Sequence, residues 1–283
     1  MIRLCAFADE AGSSIDSQIQ ALLDNGIRLI EVRSIDAKSV INFSDDEIAY
    51  YKKALDKAGI SVWSIGSPIG KVDVSEDFDQ YILKVKRVGE IANTFGTKRV
   101  RGFSFFNAYG QKDEVIRRLN TMVEILKGYG VDYCHENEKD IYGDVADRVL
   151  DLVKGVKGMK YVYDPANYLQ CGEGATIARK KTLPYTDYFH IKDVDLGDDT
   201  IVPAGYGNGD IEGLCRDVAN IDTVFTIEPH LKVFDAFSSI DTGEMKNKFV
   251  FKSNREAFDF AVESIKKVLF STGYREIDGG FTV

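Results

Sequence analysis

The stretch YGVDYCHENEKDIYGD, Tyr129–Asp144, holds a glycine, a short β-prone run and a cluster of polar side chains, in that order. Upstream, the apolar residues of Lys112–Tyr129 recur at helical spacing; Val131–His135 then reads as a buried strand, and Asp144–Lys154 resumes the helical spacing. Gly130 stands at the helix-to-strand turn, where a left-handed backbone is needed. The stretch is therefore one strand of a βα repeat, with His135, Glu136, Asn137 and Glu138 placed where the strand ends.

The same unit recurs in both directions along the chain. Strands are expected at Arg3–Ala8, Arg28–Val32, Ser61–Gly66, Lys98–Gly102, Val131–His135, Lys160–Tyr163, Tyr188–Ile191 and Thr223–Ile227. Helices are expected at Ser14–Asn25, Ser44–Lys57, Ser75–Phe95, Lys112–Tyr129, Asp144–Lys154, Thr176–Lys181, Gly213–Ala219 and Asn254–Ser271. Eight strands, each followed by a helix, give the count of an α/β fold of the (β/α)8 TIM-barrel type. Gly26, Gly59, Gly96, Gly130 and Gly158 punctuate five helix-to-strand turns alike. Ser13 or Ser14 is placed to cap the first helix, Ser44 with Glu47 forms a capping box on the second, and Asp144 is placed to cap the fifth. No linker or composition shift divides the chain, so a single domain over residues 1–283 is expected. The one long polar connection, Asp193–Asp210, belongs at the catalytic face of such a barrel.

Bulk composition narrows the partners. The 283 residues carry 36 Lys and Arg against 45 Asp and Glu, a formal net charge of −9 with no basic stripe, so nucleic acid is not an expected partner. No run approaches the roughly 20 apolar residues that span a bilayer, and the N-terminal apolar stretch is too short for a signal sequence. A cytoplasmic protein without a membrane partner is expected, with a homo-oligomer left open. Cys5, Cys134, Cys171 and Cys215 form no CxxC pair and read as reduced thiols.

In a (β/α)8 barrel the C-terminal strand ends share one mouth. Glu136 ends the fifth strand, Asp164 the sixth (YVYDPAN) and Glu228 the eighth (VFTIEPH), while His190 stands near the end of the seventh (YFHIKD). Three carboxylates at close quarters repel one another in a low-dielectric mouth unless protons or a cation intervene. A divalent metal is the natural partner. Oxygen-dominated ligation with one nitrogen suits Mn²⁺, placed first here, as well as Mg²⁺, Co²⁺ or Zn²⁺.

These residues resemble the xylose-isomerase-like TIM barrels, a superfamily of sugar-phosphate isomerases and epimerases. The resemblance rests on Glu136-Asn137, the D-x-x-N of Asp164–Asn167, the H-x-K-D of His190–Asp193 and the I-E-P of Ile227–Pro229. It implies that Glu136, Asp164, His190 and Glu228 hold one divalent metal, and that Glu136 and Glu228 are the catalytic acid/base pair acting on opposite faces of the substrate carbon. It also implies a small carbohydrate substrate. The chemistry is consistent with the residue types: a proton moved on a carbon beside a carbonyl leaves an enediolate, which a Lewis acid stabilises. Two bases give epimerisation; one base shuttling between adjacent carbons gives an aldose–ketose shift.

Substrate contacts are expected from Arg33, Lys71, Arg101, Asn167 and Lys192. Arg33 and Arg101 could fork onto a phosphate or carboxylate, or serve as partners of Glu31 or Asp9. Lys192 and Asp193 read equally as a surface ion pair. Asn167 stands where several epimerases of the family carry a substrate-binding histidine. His135 and His230 neighbour the two glutamates, but strand alternation would point them away. The run Gly205–Asp210 fits no phosphate-loop pattern and reads as a flexible turn. The alternative activity is a metal-dependent dehydratase of the 3-dehydroshikimate type. Further off stand an endonuclease IV-like repair enzyme, which builds its three-zinc site from more histidines than the three present here, and a non-catalytic sugar-binding barrel.

Overall fold

The computed structural model describes residues 1–233 and 248–283. Eight parallel strands form its centre: Ile2–Ala6 (β1), Leu29–Val32 (β2), Ser61–Gly66 (β3), Arg99–Gly102 (β4), Asp132–Glu136 (β5), Lys160–Tyr163 (β6), Thr186–Ile191 (β7) and Thr223–Ile227 (β8). Each pairs with its sequence neighbour, and β8 returns to β1 in a register running from Ile2 opposite Thr223 to Ala6 opposite Ile227. The sheet is therefore a closed (β/α)8 barrel, as the strand count predicts.

Around it lie α1 (Ile15–Asp24), α2 (Asp45–Ala58), α3 (Phe78–Phe95), α4 (Lys112–Lys127), α5 (Ala146–Gly155), α6 (Pro165–Gln170), α7 (Ala175–Thr182), α8 (Ile211–Asp217) and α9 (Asn254–Ser271). The capping box of Ser44 and Glu47 is present, Ser14 caps α1, and the five turn glycines all have φ between 68° and 86°. The expected cap on α5 is a correction: Asp144 instead pairs with Arg148 and accepts from the Tyr109 hydroxyl. The Ala146 amide is taken by Glu173, which approaches from the α6–α7 connection. Distant side chains can satisfy a helix start as well as local ones, and that choice is made only in three dimensions.

The barrel interior is layered. Cys5, Cys134, Val162, Tyr188 and Val224 form a small apolar cluster from five strands, backed by Leu29 and Trp63. Successive strand residues alternate between faces, so two residues further on each of these strands points inward again, one layer nearer the mouth. That second layer is polar on five strands: Glu31 follows Leu29, Glu136 follows Cys134, Asp164 follows Val162, His190 follows Tyr188 and Thr226 follows Val224, all five buried, while at the end of β1 the apolar Phe7 follows Cys5 and sets its ring edge against His190. The thiols of Cys5 and Cys134 are thus packing groups of the lower layer.

At the opposite end, residues 275–282 form a hairpin, Arg275–Ile277 with Gly280–Thr282, that adds antiparallel to β1 through Phe281 opposite Ile2. This places the C-terminal tail across the bottom of the barrel, away from the mouth.

Candidate metal centre and active site

Four donor groups converge at the mouth. One ligand atom each from Glu136, Asp164, His190 and Glu228 lie within 4.8 Å of one another, and all four residues are buried. Asp164 has two tasks: it is the N-cap of α6, its Oδ1 accepting from the Asn167 amide at 2.9 Å, with Pro165 at the first helical position. That leaves Oδ2 for the cluster.

The two glutamates are held in matching fashion. Glu228 Oε1 accepts from Arg33 Nη1 at 3.0 Å, and Glu136 Oε2 lies 3.2 Å from Arg101 Nε. Their other oxygens approach one atom, His190 Nδ1, at 3.0 Å for Glu136 Oε1 and 3.3 Å for Glu228 Oε2. Each carboxylate thus has an arginine behind it and one oxygen turned toward the imidazole.

The other imidazole nitrogen, Nε2, lies 3.2 Å from Glu31 Oε2. Glu31 is fixed in turn by the hydroxyls of Tyr188, donating to Oε1 at 3.0 Å, and Thr226, donating to Oε2 at 3.2 Å. A histidine whose Nε2–H is committed to a carboxylate presents Nδ1 as its lone-pair donor, the arrangement metal-ligating histidines use. Sequence reading considered Glu31 only as a partner for arginine. The available signal was a carboxylate inside the apolar run LIEV, where β-strand alternation leaves it no solvent.

The donor set fits a divalent cation. Glu228 Oε2 and Asp164 Oδ2 are buried, make no well-aligned hydrogen bond and are met only by ion-pair contacts, so two carboxylate oxygens aimed into the cluster have coordination capacity left. Burial pushes the Asp164 carboxyl up to about 7; Lys192 pulls it down, while Glu136 and Glu228 add to the rise. Burial acts on Glu228 in the same sense, but Lys192 and His190 outweigh it and hold that carboxyl well below the usual range. For His190, burial disfavours the imidazolium, yet Glu136 and Glu31 raise its pKa well above the ordinary histidine value. Anions crowd this site enough to recruit a proton to the imidazole, as they would a metal ion.

The cationic side chains are all engaged. Arg33 forks onto Asp9, with Nε and Nη2 at 2.9 and 3.0 Å, and also reaches Glu10. Arg101 donates to the Ser67 carbonyl and stands 3.8 Å from Glu31. The structural pairings anticipated for the two arginines, with Asp9 and Glu31, are thus present. Lys71 pairs with Glu138 at 2.8 Å, and its ammonium lies 4.5 Å above the Phe103 ring. Asn167 turns its amide onto Glu136 Oε1 at 3.3 Å and the Asn137 carbonyl at 2.9 Å.

Three expectations need correcting. Lys192 and Asp193 do not form a surface pair: Lys192 is buried, 3.0 Å from Asp164 Oδ2 and 3.6 Å from Glu228 Oε2. Asp193 is buried too, its carboxylate accepting the amides of Val194, Gly205, Gly207 and Gly209 at 2.8–3.1 Å. The glycine-rich run is therefore ordered as an anion nest whose anion is its own chain's aspartate. His230 does not point away. β8 ends at Ile227, and His230 takes a left-handed backbone (φ 45°) that carries Nε2 to 3.5 Å from Glu10 and 3.6 Å from Glu228. His135 does face outward, its Nε2 paired with the Ser104 hydroxyl at 2.9 Å.

Residues 19–242 match the model of the xylose isomerase-like TIM barrel family, and the chain belongs to that family. Its fold is shared by L-ribulose 3-epimerase, with 17% identity, a TM-score of 0.74 and 96% of each chain covered. It is shared by the probable 3-DHS dehydratase AsbF of Bacillus anthracis, with 15% identity, a TM-score of 0.72, and 94% of this chain and 99% of that one covered. A xylose isomerase-like TIM barrel protein from Mycobacterium smegmatis in complex with magnesium aligns at 14% identity and TM-score 0.68, covering 96% of this chain and 97% of its own. No curated protein matches the sequence. Among the described residues no helix is long and apolar enough to cross a membrane.

Proposed function

We propose that this protein is a divalent-metal-dependent isomerase or epimerase that moves a proton on a carbon adjacent to a carbonyl in a small carbohydrate, a sugar phosphate or a cyclitol. The observation that carries this reading is the convergence of Glu136, Asp164, His190 and Glu228 with two buried carboxylate oxygens that make no well-aligned hydrogen bond. The fold likeness to a sugar epimerase supports it.

In this reading the four residues hold one metal ion, Mn²⁺ being the first expectation. When bound, the ion supplies Lewis acidity to the substrate oxygens beside the reacting carbon. Glu136 and Glu228 act on that carbon, one removing the proton and the other returning it. Arg101 and Arg33, each on the far oxygen of one glutamate, fix the carboxylates in place. His190 is oriented by Glu31. Lys71 and Asn167, with the arginines, are the candidate groups for orienting the sugar hydroxyls or a phosphate. Burial of the whole set excludes bulk water and strengthens each electrostatic contact.

A second reading is a dehydratase of the 3-dehydroshikimate type. It also begins with removal of a proton beside a carbonyl, the cationic side chains around the site suit a carboxylate-bearing substrate, and AsbF shares the fold. Solvent-deuterium exchange into a panel of ketoses, ketose phosphates, inososes and 3-dehydroshikimate, with Mn²⁺ and with a chelator, tests both readings. Metal-dependent exchange into a ketose or inosose without loss of water supports the isomerase reading, and conversion of 3-dehydroshikimate to an aromatic product supports the dehydratase. No metal-dependent exchange into any of them overturns both.

A further inference from the structure

Lys192 is a cation inside the donor set. Its ammonium lies 3.0 Å from Asp164 Oδ2 and 3.6 Å from Glu228 Oε2, the two atoms that make no well-aligned hydrogen bond. Both oxygens belong to the four-residue donor cluster, so a divalent ion and the ammonium draw on the same lone pairs. The lysine has little alternative placement: its side chain is 6% exposed, and the backbone beside it is anchored by Asp193, whose carboxylate four backbone amides hold.

We infer that Lys192 is a built-in counter-cation, a positioning residue that competes with the divalent metal for Asp164 Oδ2 and Glu228 Oε2. The inference rests on the metal-site reading above and adds a role for a residue that the sequence alone offered only as a substrate contact or a surface ion pair. Two like charges cannot share one carboxylate oxygen cheaply in a buried site. The ammonium therefore keeps the carboxylates compatible with burial before metal loading, and loading must overcome its hold on these two oxygens. The metal affinity of the protein is set lower than the four donors alone would give.

Equilibrium measurements on the full chain test this without reference to turnover. K192M and K192Q are compared with wild type and with K71M, which also removes one positive charge near the mouth but leaves Asp164 and Glu228 untouched. Competition predicts that K192M and K192Q bind Mn²⁺ at least roughly tenfold more tightly in calorimetric titration, with K71M changing affinity far less. It also predicts that chelator-treated K192M melts at a lower temperature than chelator-treated wild type, and that Mn²⁺ reverses the order. K192Q, which keeps a hydrogen-bond donor, covers the case in which the methionine variant does not fold in either condition. Metal affinity unchanged or weakened in both Lys192 variants, or matched by K71M, overturns the competition. If no variant and no wild-type protein binds a divalent ion, the metal reading of the site fails. The melting temperatures of the metal-free proteins then judge the counter-cation role alone, and an unchanged melting temperature overturns it.

Discussion

His190 Nε2 lies 3.2 Å from Glu31 Oε2, and this pair, buried at the second layer of the barrel interior, decides which imidazole nitrogen faces Glu136 and Glu228. Glu31→Gln keeps the shape but leaves the tautomer of His190 unfixed and removes the negative charge behind it. Loss of such a partner typically weakens a metal site by about 10- to 100-fold. Calorimetric Mn²⁺ titration of the variant should show a weakening in that range; affinity equal to wild type would remove Glu31 from the account.

Metal binding should release a proton. Glu136 and Glu31 outweigh burial and hold the His190 imidazole protonated well above its ordinary pKa, whereas a metal ligand must be neutral. Affinity for Mn²⁺ should therefore rise as pH rises. Titrating the ion into weakly buffered protein near neutrality should acidify the solution, and His190→Gln should reduce that release to the part supplied by Asp164, whose carboxyl is held up to about 7.

Glu136→Gln and Glu228→Gln should each lower the rate of solvent-deuterium exchange by about 10²- to 10⁴-fold, the range for loss of an acid/base group. Single-turnover exchange separates the two roles: in an epimerase, each variant should retain exchange from one stereoisomer better than from the other. Equal loss from both stereoisomers in both variants would argue against a two-base mechanism.

Stability should depend on His135 below neutrality. Burial lowers its folded-state pKa to about 3 from an ordinary 6.5, so the unfolded chain binds the extra proton and the folded chain does not. The penalty is absent above pH 6.5 and grows as pH falls toward 3, by about 1.4 kcal/mol per unit. Urea unfolding at pH 7.5 and 5.5 should show wild type losing about 1.4 kcal/mol more than His135→Asn between the two values.

Asp193→Ala should strand the amides of Val194, Gly205, Gly207 and Gly209. Partial rehydration limits the cost to on the order of 1–3 kcal/mol. Gly207→Ala attacks the same nest from outside, because a Cβ there would stand 2.4 Å from Asp193 Oδ1. Hydrogen exchange over residues 203–210 should accelerate in both variants, and unchanged protection would show that the nest is not what orders the loop.

The barrel itself was legible because its signals are local. Helical spacing, β-prone runs and a glycine at each of five turns repeat with the period of the fold, and the strands Ser61–Gly66, Lys160–Tyr163 and Thr223–Ile227 begin and end where the sequence places them. The short helix α6 escaped because Asp164-Pro165 reads equally as a turn, and six residues carry too little periodicity to show. The convergence of Glu136, Asp164, His190 and Glu228 could also be anticipated, since strand ends in a closed barrel meet at one rim.

What the sequence by itself determined is therefore the repeat, the barrel and which side chains stand at its rim, all of which follow from patterns a few residues long. The pairings among those side chains were decided only by the tertiary structure. Glu31 behind His190, Lys192 across Asp164 and Glu228, Glu173 on the start of α5 and His230 turned toward Glu10 join residues from separate strands and loops. A buried charge takes whichever partner the closed barrel brings within reach, and that distance is not written in the spacing along the chain.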